Sequence, residues 1–302
     1  MPVHRSLRPL TLGVCLSVSV ACGQSTPGGE GSGSTSGSGS VIRITGSDTM
    51  VNLVQAWAEN YKKSRPDVTV QVAGGGSGVG IAGLIDGILD VASSSREMEP
   101  DEKERAQKRN GTAPTESRVG LDALAIYVHG GNPIDTISID ELAEIYGDGG
   151  TILKWPDLGV QNAACASGEI IRVSRQNNSG TYVYFREAVL GREREFKLGS
   201  IDQSGSKDVV TLVSRTPCAI GYSGMAYHIP EVKQVKVAKK KGEAGVAPTL
   251  ETAVSGSYPI ARPLYLYTRA APEGALKEFV DWTLGPEGQK IVQDIGYVPV
   301  AK

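Results

Sequence analysis

From Val41 onward the apolar positions switch regularly between two periods. Val41–Thr45 is a β-rich run; Met50, Leu53, Val54, Trp57 and Tyr61 then recur on one helical face, with Ser47 or Asp48 available as N-cap. Pro66 breaks that helix before Val68-Thr69-Val70-Gln71-Val72, a second strand. After Gly74-Gly75-Gly76, Ile81, Leu84, Ile85 and Ile88 mark another apolar helical face, and Asp90-Val91-Ala92 opens a third strand. A βαβαβ order with short loops predicts a parallel sheet. The charge-dense stretch Glu97–Arg109 reads as a solvated helix or loop, and Lys239-Lys240-Lys241 beside Gly242 as an exposed turn.

Further along, Ser138-Ile139-Asp140-Glu141 is a capping-box start for a helix ending near Gly147. Ile170–Ser174 is a strand, followed by a helix-like run Tyr182–Leu190, and Ala219–Tyr222 and Val232–Val237 supply further strands. Helical material such as Leu276–Trp282 follows near the C-terminus. Two long apolar strands, Val119–His129 and Pro263–Thr268, bracket the middle of the chain. That arrangement predicts a discontinuous first lobe, residues 41–122 with 262–302, and an inserted second lobe, residues 123–261. The class is α/β, each lobe a mainly parallel sheet flanked by helices. Two crossings make a two-strand hinge, with a ligand cleft between the lobes.

Three corners share one construction: Thr45-Gly46-Ser47-Asp48-Thr49, Gly74-Gly75-Gly76-Ser77-Gly78 and Arg175-Gln176-Asn177-Asn178-Ser179-Gly180-Thr181. Each is rich in glycine and hydroxyls, follows a strand and opens a helix. Helix starts expose unpaired N–H donors and the positive end of the helix dipole, so such corners hold oxyanions. Thr49, Ser77 and the Ser94-Ser95-Arg96 turn belong to one lip of the cleft, and Arg175, Ser179, Gly180 and Thr181 to the other. Arginine suits a phosphate edge because its planar fork donates two parallel hydrogen bonds. Asn177 and Asn178 are placed to orient their loop. For any single serine, a plain helix cap is the competing role.

Composition adds compartment and excludes several functions. With 302 residues and a formal net charge of -2, the chain can build two cores and shows no nucleic-acid signature. His4, Arg5 and Arg8 precede an apolar run from Leu10 to Ala21, so residues 1–21 read as an export signal too short to span a membrane comfortably. Ser19-Val20-Ala21-Cys22 resembles a bacterial lipoprotein cleavage site, with Cys22 lipidated and Ser19 standing where leucine is usual. Residues 22–40 form a Gly/Ser-rich tether, which places the protein at the outer face of a bacterial membrane, touching it only through the lipid. Cys165 and Cys218 remain and are expected to form a disulfide, two separate buried thiols being the other reading. No metal or cofactor is expected. The glycine run lacks the Gly-Lys-Ser/Thr of a phosphate loop, Val79 stands where a dinucleotide fingerprint or a nucleophile elbow needs glycine, and only His129 and His228 survive processing. An enzyme is therefore not expected.

In combination, Thr-Gly-x-x-Thr at 45–49, Gly-Gly-Gly-Ser at 74–77, Ser-Ser-Arg at 94–96 and Arg-x-x-x-Ser-Gly-Thr at 175–181 resemble the phosphate-binding proteins of bacterial high-affinity phosphate ABC importers. The resemblance runs from Val41 through Gly296-Tyr297-Val298-Pro299. It implies a two-lobed periplasmic-binding-protein fold of type II that closes on one inorganic phosphate and delivers it to ABC permease subunits. It further implies phosphate contacts from Thr49, Met50 through its backbone N–H, Ser77, Arg175, Ser179, Gly180 and Thr181; Ser47, Asp48, Ser94, Ser95 and Arg96 complete the candidate phosphate set. Some members carry an aspartate where Ser95 stands, so selection of phosphate over sulfate is less tightly implied; Asp48 is the nearest replacement acceptor. Arg96 either binds the ligand or pairs with Asp48. The alternatives are a binder of sulfate, molybdate, phosphonate or phosphite, or a phosphate-sensing surface lipoprotein. A monomer is expected.

Overall fold

The computed structural model describes residues 39–300; the export signal, Cys22 and most of the tether lie outside them. In chain order the elements are β1 (Ser40–Gly46), α1 (Val51–Ser64), β2 (Val68–Ala73), α2 (Ser77–Ile85), β3 (Val91–Ser94), α3 (Pro100–Asn110), β4 (Thr115–His129), β5 (Thr136–Ser138) and α4 (Ile139–Tyr146). They continue with β6 (Ile171–Arg175), α5 (Gly180–Phe185), β7 (Ile201–Gln203), α6 (Ser206–Ser214), β8 (Ala219–Gly224), β9 (Val232–Ala238), α7 (Leu250–Val254), β10 (Ala261–Thr268), α8 (Gly274–Leu284) and α9 (Pro286–Ile295).

The strands line up as β2-β1-β3-β10-β4-β8-β6-β7, with β9 joining β4 to β5. β1 is parallel to β2 and β3, and β6 is parallel to β7 and β8. The long strands β4 and β10 run antiparallel to their neighbours, so the sheet is mixed at its centre and parallel on either side. β4 changes partner along its length. Thr115–Ala123 pair with β10, whereas Leu124–Val128 pair with β8 and Ile126–His129 with β9.

Separate apolar cores form on the two sides of that switch. One packs Leu53, Val54, Trp57 and Tyr61 of α1 against Phe279 and Tyr297, and the Trp57 indole N–H donates to the Gly288 carbonyl at 2.9 Å. The other gathers Tyr146, Trp155, Phe185 and Tyr222, with the Phe185 and Tyr222 rings stacked 3.9 Å apart. Cys165 and Cys218, 53 residues apart in sequence, are joined by a disulfide.

Three local expectations are corrected. Residue Met50, not Ser47 or Asp48, occupies the N-cap position of α1 and no side chain caps it, because Asp48 is engaged elsewhere. α2 ends at Ile85; Gly87 then takes a left-handed conformation (φ 75°) and Ile88 is 65% exposed in the turn rather than on the apolar face. The run expected to be helical over 182–190 is a short α-helix, α5, continued by a π-helical segment Arg186–Leu190. Ser138 and Glu141 do form the expected capping box of α4. Glu97–Arg109 holds α3, capped by Glu99 and Glu102.

Candidate anion-binding site

The carboxyl ends of the parallel strands converge, as ligand sites of open α/β sheets do. β1 delivers Ser47, Asp48 and Thr49; β2 delivers the glycine run and Ser77 at the start of α2; β3 delivers Ser94, Ser95 and Arg96. From the other side, β6 ends in Arg175 and leads to Ser179 and Gly180 at the start of α5. A fourth corner, Ser204-Gly205-Ser206, links β7 to α6 and brings Ser206 to the same place. Ser47, Thr49, Ser77, Ser95, Arg175, Ser179, Thr181 and Ser206 are all buried.

The hydroxyls form a connected set across the junction. Ser47 Oγ donates to Ser95 Oγ at 2.9 Å, and the Ser95 N–H donates to Ser77 Oγ at 3.1 Å. Thr49 Oγ1 lies 2.9 Å from Thr181 Oγ1 and 3.3 Å from Ser206 Oγ. Ser179 caps α5 by accepting from the Thr181 N–H at 3.1 Å. Gly180 sits tightly against the opposite lip: a Cβ there would lie 2.3 Å from Ser77 Oγ and 2.8 Å from Ser95 Oγ. Backbone and amide bonds reinforce the junction, the Gly78 N–H donating to the Asn178 carbonyl and Asn178 Nδ2 to the Gly75 carbonyl, each at 3.0 Å.

Arg175 has no exposed surface. Its Nε donates to the Gln203 carbonyl, Nη1 to Ser206 Oγ at 3.1 Å, and Nη2 to the Ser204 carbonyl and to Asp48 Oδ2 at 3.0 Å. A guanidinium carries five N–H donors. Among the described residues these bonds use four of them and leave one Nη1 hydrogen without an acceptor. Burial pushes the Arg175 pKa down and Asp48 opposes it. Asp48 also accepts the Gly75 N–H at 2.9 Å, tying the first two corners together. Tyr227 and Tyr297 hold the 48–49 loop by donating to its carbonyls at 2.9 and 2.6 Å.

Three residues of the expected phosphate set point elsewhere. The Met50 N–H is bonded to the Ser47 carbonyl and its side chain lies in the core. Ser94 Oγ closes a local turn, donating to the Arg96 carbonyl at 2.7 Å and accepting its N–H at 3.3 Å. Arg96 pairs with neither ligand space nor Asp48. It forms a two-pronged ion pair with Glu102 at 2.7 Å, and although burial works against its charge, that carboxylate raises its pKa overall.

Ser206, Asp122 and Arg262 were not in the expected set. Arg262 Nη2 donates to Asp122 Oδ2 at 3.0 Å, to Thr181 Oγ1 at 3.0 Å and to Thr49 Oγ1 at 3.4 Å. Burial pushes the Asp122 carboxyl pKa up, with Arg262 opposing. The sequence signal for this pair was Asp122 inside the apolar run Val119–Val128 and Arg262 just ahead of the apolar run Pro263–Thr268. Chemically, the site offers rotatable hydroxyls, helix-start N–H groups and guanidinium, all suited to a compact anion.

Comparison with known proteins agrees with that chemistry. Residues 28–287 match the family model of the PBP superfamily domain. The chain is 35% identical over 269 residues to the phosphate-binding protein PstS of Pseudomonas aeruginosa, covering 86% of this chain and 83% of that protein. It is 30% identical over 306 residues to PstS of Bacillus subtilis, covering 99% and 95% of the two chains. A crystal structure of a putative phosphate ABC transporter substrate-binding protein from Clostridium perfringens, with bound phosphate, superposes with a TM-score of 0.76 at 28% identity, covering 86% of this chain and all of that one. The chain belongs to the PBP superfamily, among the PstS-type phosphate-binding proteins.

Proposed function

We propose that the protein binds inorganic phosphate between its two lobes and delivers it to the permease of an ABC importer. The carrying observation is the meeting of Thr49 with Thr181, and of Ser77 with Gly180, at a buried junction that also holds Arg175. Thr49, Ser77, Ser95, Arg175, Ser179, Gly180 and Thr181 make the phosphate contacts, and Ser206 joins them through Arg175 Nη1. The lobes comprise residues 41–122 with 262–302, and 123–261, hinged where β4 and β10 cross between them. Phosphate held by one lip recruits the other, shifting the population toward the closed form that a permease recognises.

Asp48 supplies the carboxylate that accepts a hydrogen bond from a protonated phosphate oxygen, the task that Ser95 cannot perform as an anion. The protein is exported, anchored through lipid on Cys22, and works as a monomer. It acts as a binder, in keeping with relatives that are named as phosphate-binding proteins. Calorimetric titration with phosphate, arsenate and sulfate tests the reading: phosphate and arsenate should bind tightly and sulfate weakly. Equal affinity for sulfate would remove the assignment of phosphate, and sustained hydrolysis of a generic phosphate ester would remove that of a binder.

A further inference from the structure

We propose that Arg262 is a second cation of the anion socket, contacting the bound anion from the hinge side. This rests on the phosphate reading above and adds to it a binding residue on a crossing strand. Asp122 of β4 and Arg262 of β10 are direct cross-strand partners, and both are buried, at 0% and 1% exposure. Arginine–carboxylate pairs are frequently two-pronged, with one bond to each oxygen. Arg262 does otherwise. Its Nε and Nη2 both go to Oδ2 of Asp122, at 3.2 and 3.0 Å, while Oδ1 accepts the Met225 N–H at 3.3 Å.

The turn of the fork brings Nη2 onto Thr181 Oγ1 and Thr49 Oγ1, the two hydroxyls that touch across the junction. Nη1 of the same guanidinium is buried with no partner among the described residues. Leaving a buried charged donor unmatched is unfavourable, and a hinge strut gives no reason for it. A tetrahedral anion beside Thr49 and Thr181 does, because it offers acceptor oxygens to Nη1. Tyr184 steadies the group, its ring centre 5.5 Å from the guanidinium carbon and its hydroxyl donating to the Ala261 carbonyl at 2.7 Å. The socket then carries two cations, Arg175 and Arg262, each with its own carboxylate, Asp48 and Asp122.

The rival role is purely structural, and the ion pair allows the two to be separated. Replacing Arg262 alone leaves a buried uncompensated carboxylate, so the informative variants are Asp122→Asn together with Arg262→Gln, and Asp122→Asn alone. Phosphate affinity is measured by calorimetry and phosphate-free stability by thermal unfolding, beside wild type. The paired variant should unfold near the wild-type temperature yet bind phosphate about 10- to 100-fold more weakly, the range of a charge-assisted hydrogen bond. Asp122→Asn alone keeps the cation, removes its counter-charge and should bind phosphate several-fold more tightly. A paired variant that binds within about twofold of wild type, or a single variant that binds more weakly than wild type, overturns the inference. Failure of the wild type itself to bind phosphate would instead overturn the function on which it rests.

Discussion

Gly180 shows how one atom governs the junction. Its position admits no side chain, because Ser77 Oγ would stand 2.3 Å from a Cβ. Gly180→Ala should leave the separate lobes intact, since alanine favours a helix start more than glycine does, yet obstruct their contact. Overpacking of that kind costs about 1–3 kcal/mol, so phosphate affinity should fall roughly 5- to 150-fold while the phosphate-free unfolding temperature holds. Unchanged affinity in a calorimetric titration would place the anion away from this contact. At the residue scale the site was legible where it was local. Thr49, Ser77, Ser95, Arg175 and Thr181 sit in short motifs whose helix-start geometry follows from their own sequence. Ser206 was not, since Ser204-Gly205-Ser206 lacks the length of the other corners. Arg262 and Asp122 lie 140 residues apart and meet only through strand register. Arg96 misled for the same reason in reverse: its partner, Glu102, belongs to the helix that follows, and pairing with it turns the guanidinium out of the socket.

At the scale of elements, periodicity located the strands and helices, while their ends depended on tertiary contacts. Asp48 was available as a cap for α1 by sequence but is drawn to Arg175 and the Gly75 N–H instead. The mainly parallel sheet was legible from the alternation of strand and helix. The antiparallel course of β4 and β10 through its centre was not, because an apolar strand carries no mark of its direction. The disulfide belongs to this scale as well. It ties Cys165 in the loop before β6 to Cys218 just before β8, where the Trp155 indole also donates to the Cys218 carbonyl at 3.1 Å. Closing a loop of 53 residues stabilises by about 2–4 kcal/mol. Replacing both cysteines by serine should therefore lower the denaturant midpoint correspondingly, with phosphate affinity nearly unchanged, since neither cysteine reaches the socket. A midpoint equal to wild type would show that the bond contributes nothing to stability.

For the molecule as a whole, the decisive feature is that the corners on the two sides of the junction meet through polar groups, while β4 runs from one side, where it pairs with β10, to the other, where it pairs with β8 and β9. Hydroxyls, amides and the Arg175–Asp48 ion pair make up the contact there, and a bound anion that bridges them would favour the closed form. Small-angle scattering should accordingly show a smaller radius of gyration with phosphate than without it, and Gly180→Ala should need correspondingly more phosphate to show the same change. A radius indifferent to phosphate in the wild type would argue against closure as the response. The central assignment, phosphate held by the Arg175 corner against the other lip, is tested most directly by titrating phosphate into wild type and Arg175→Ala in the same calorimeter. Wild type should bind one phosphate tightly, and the variant should lose roughly 100-fold or more in affinity, as expected when a buried hydrogen-bonded charge is removed. Equal binding by the two proteins would contradict it.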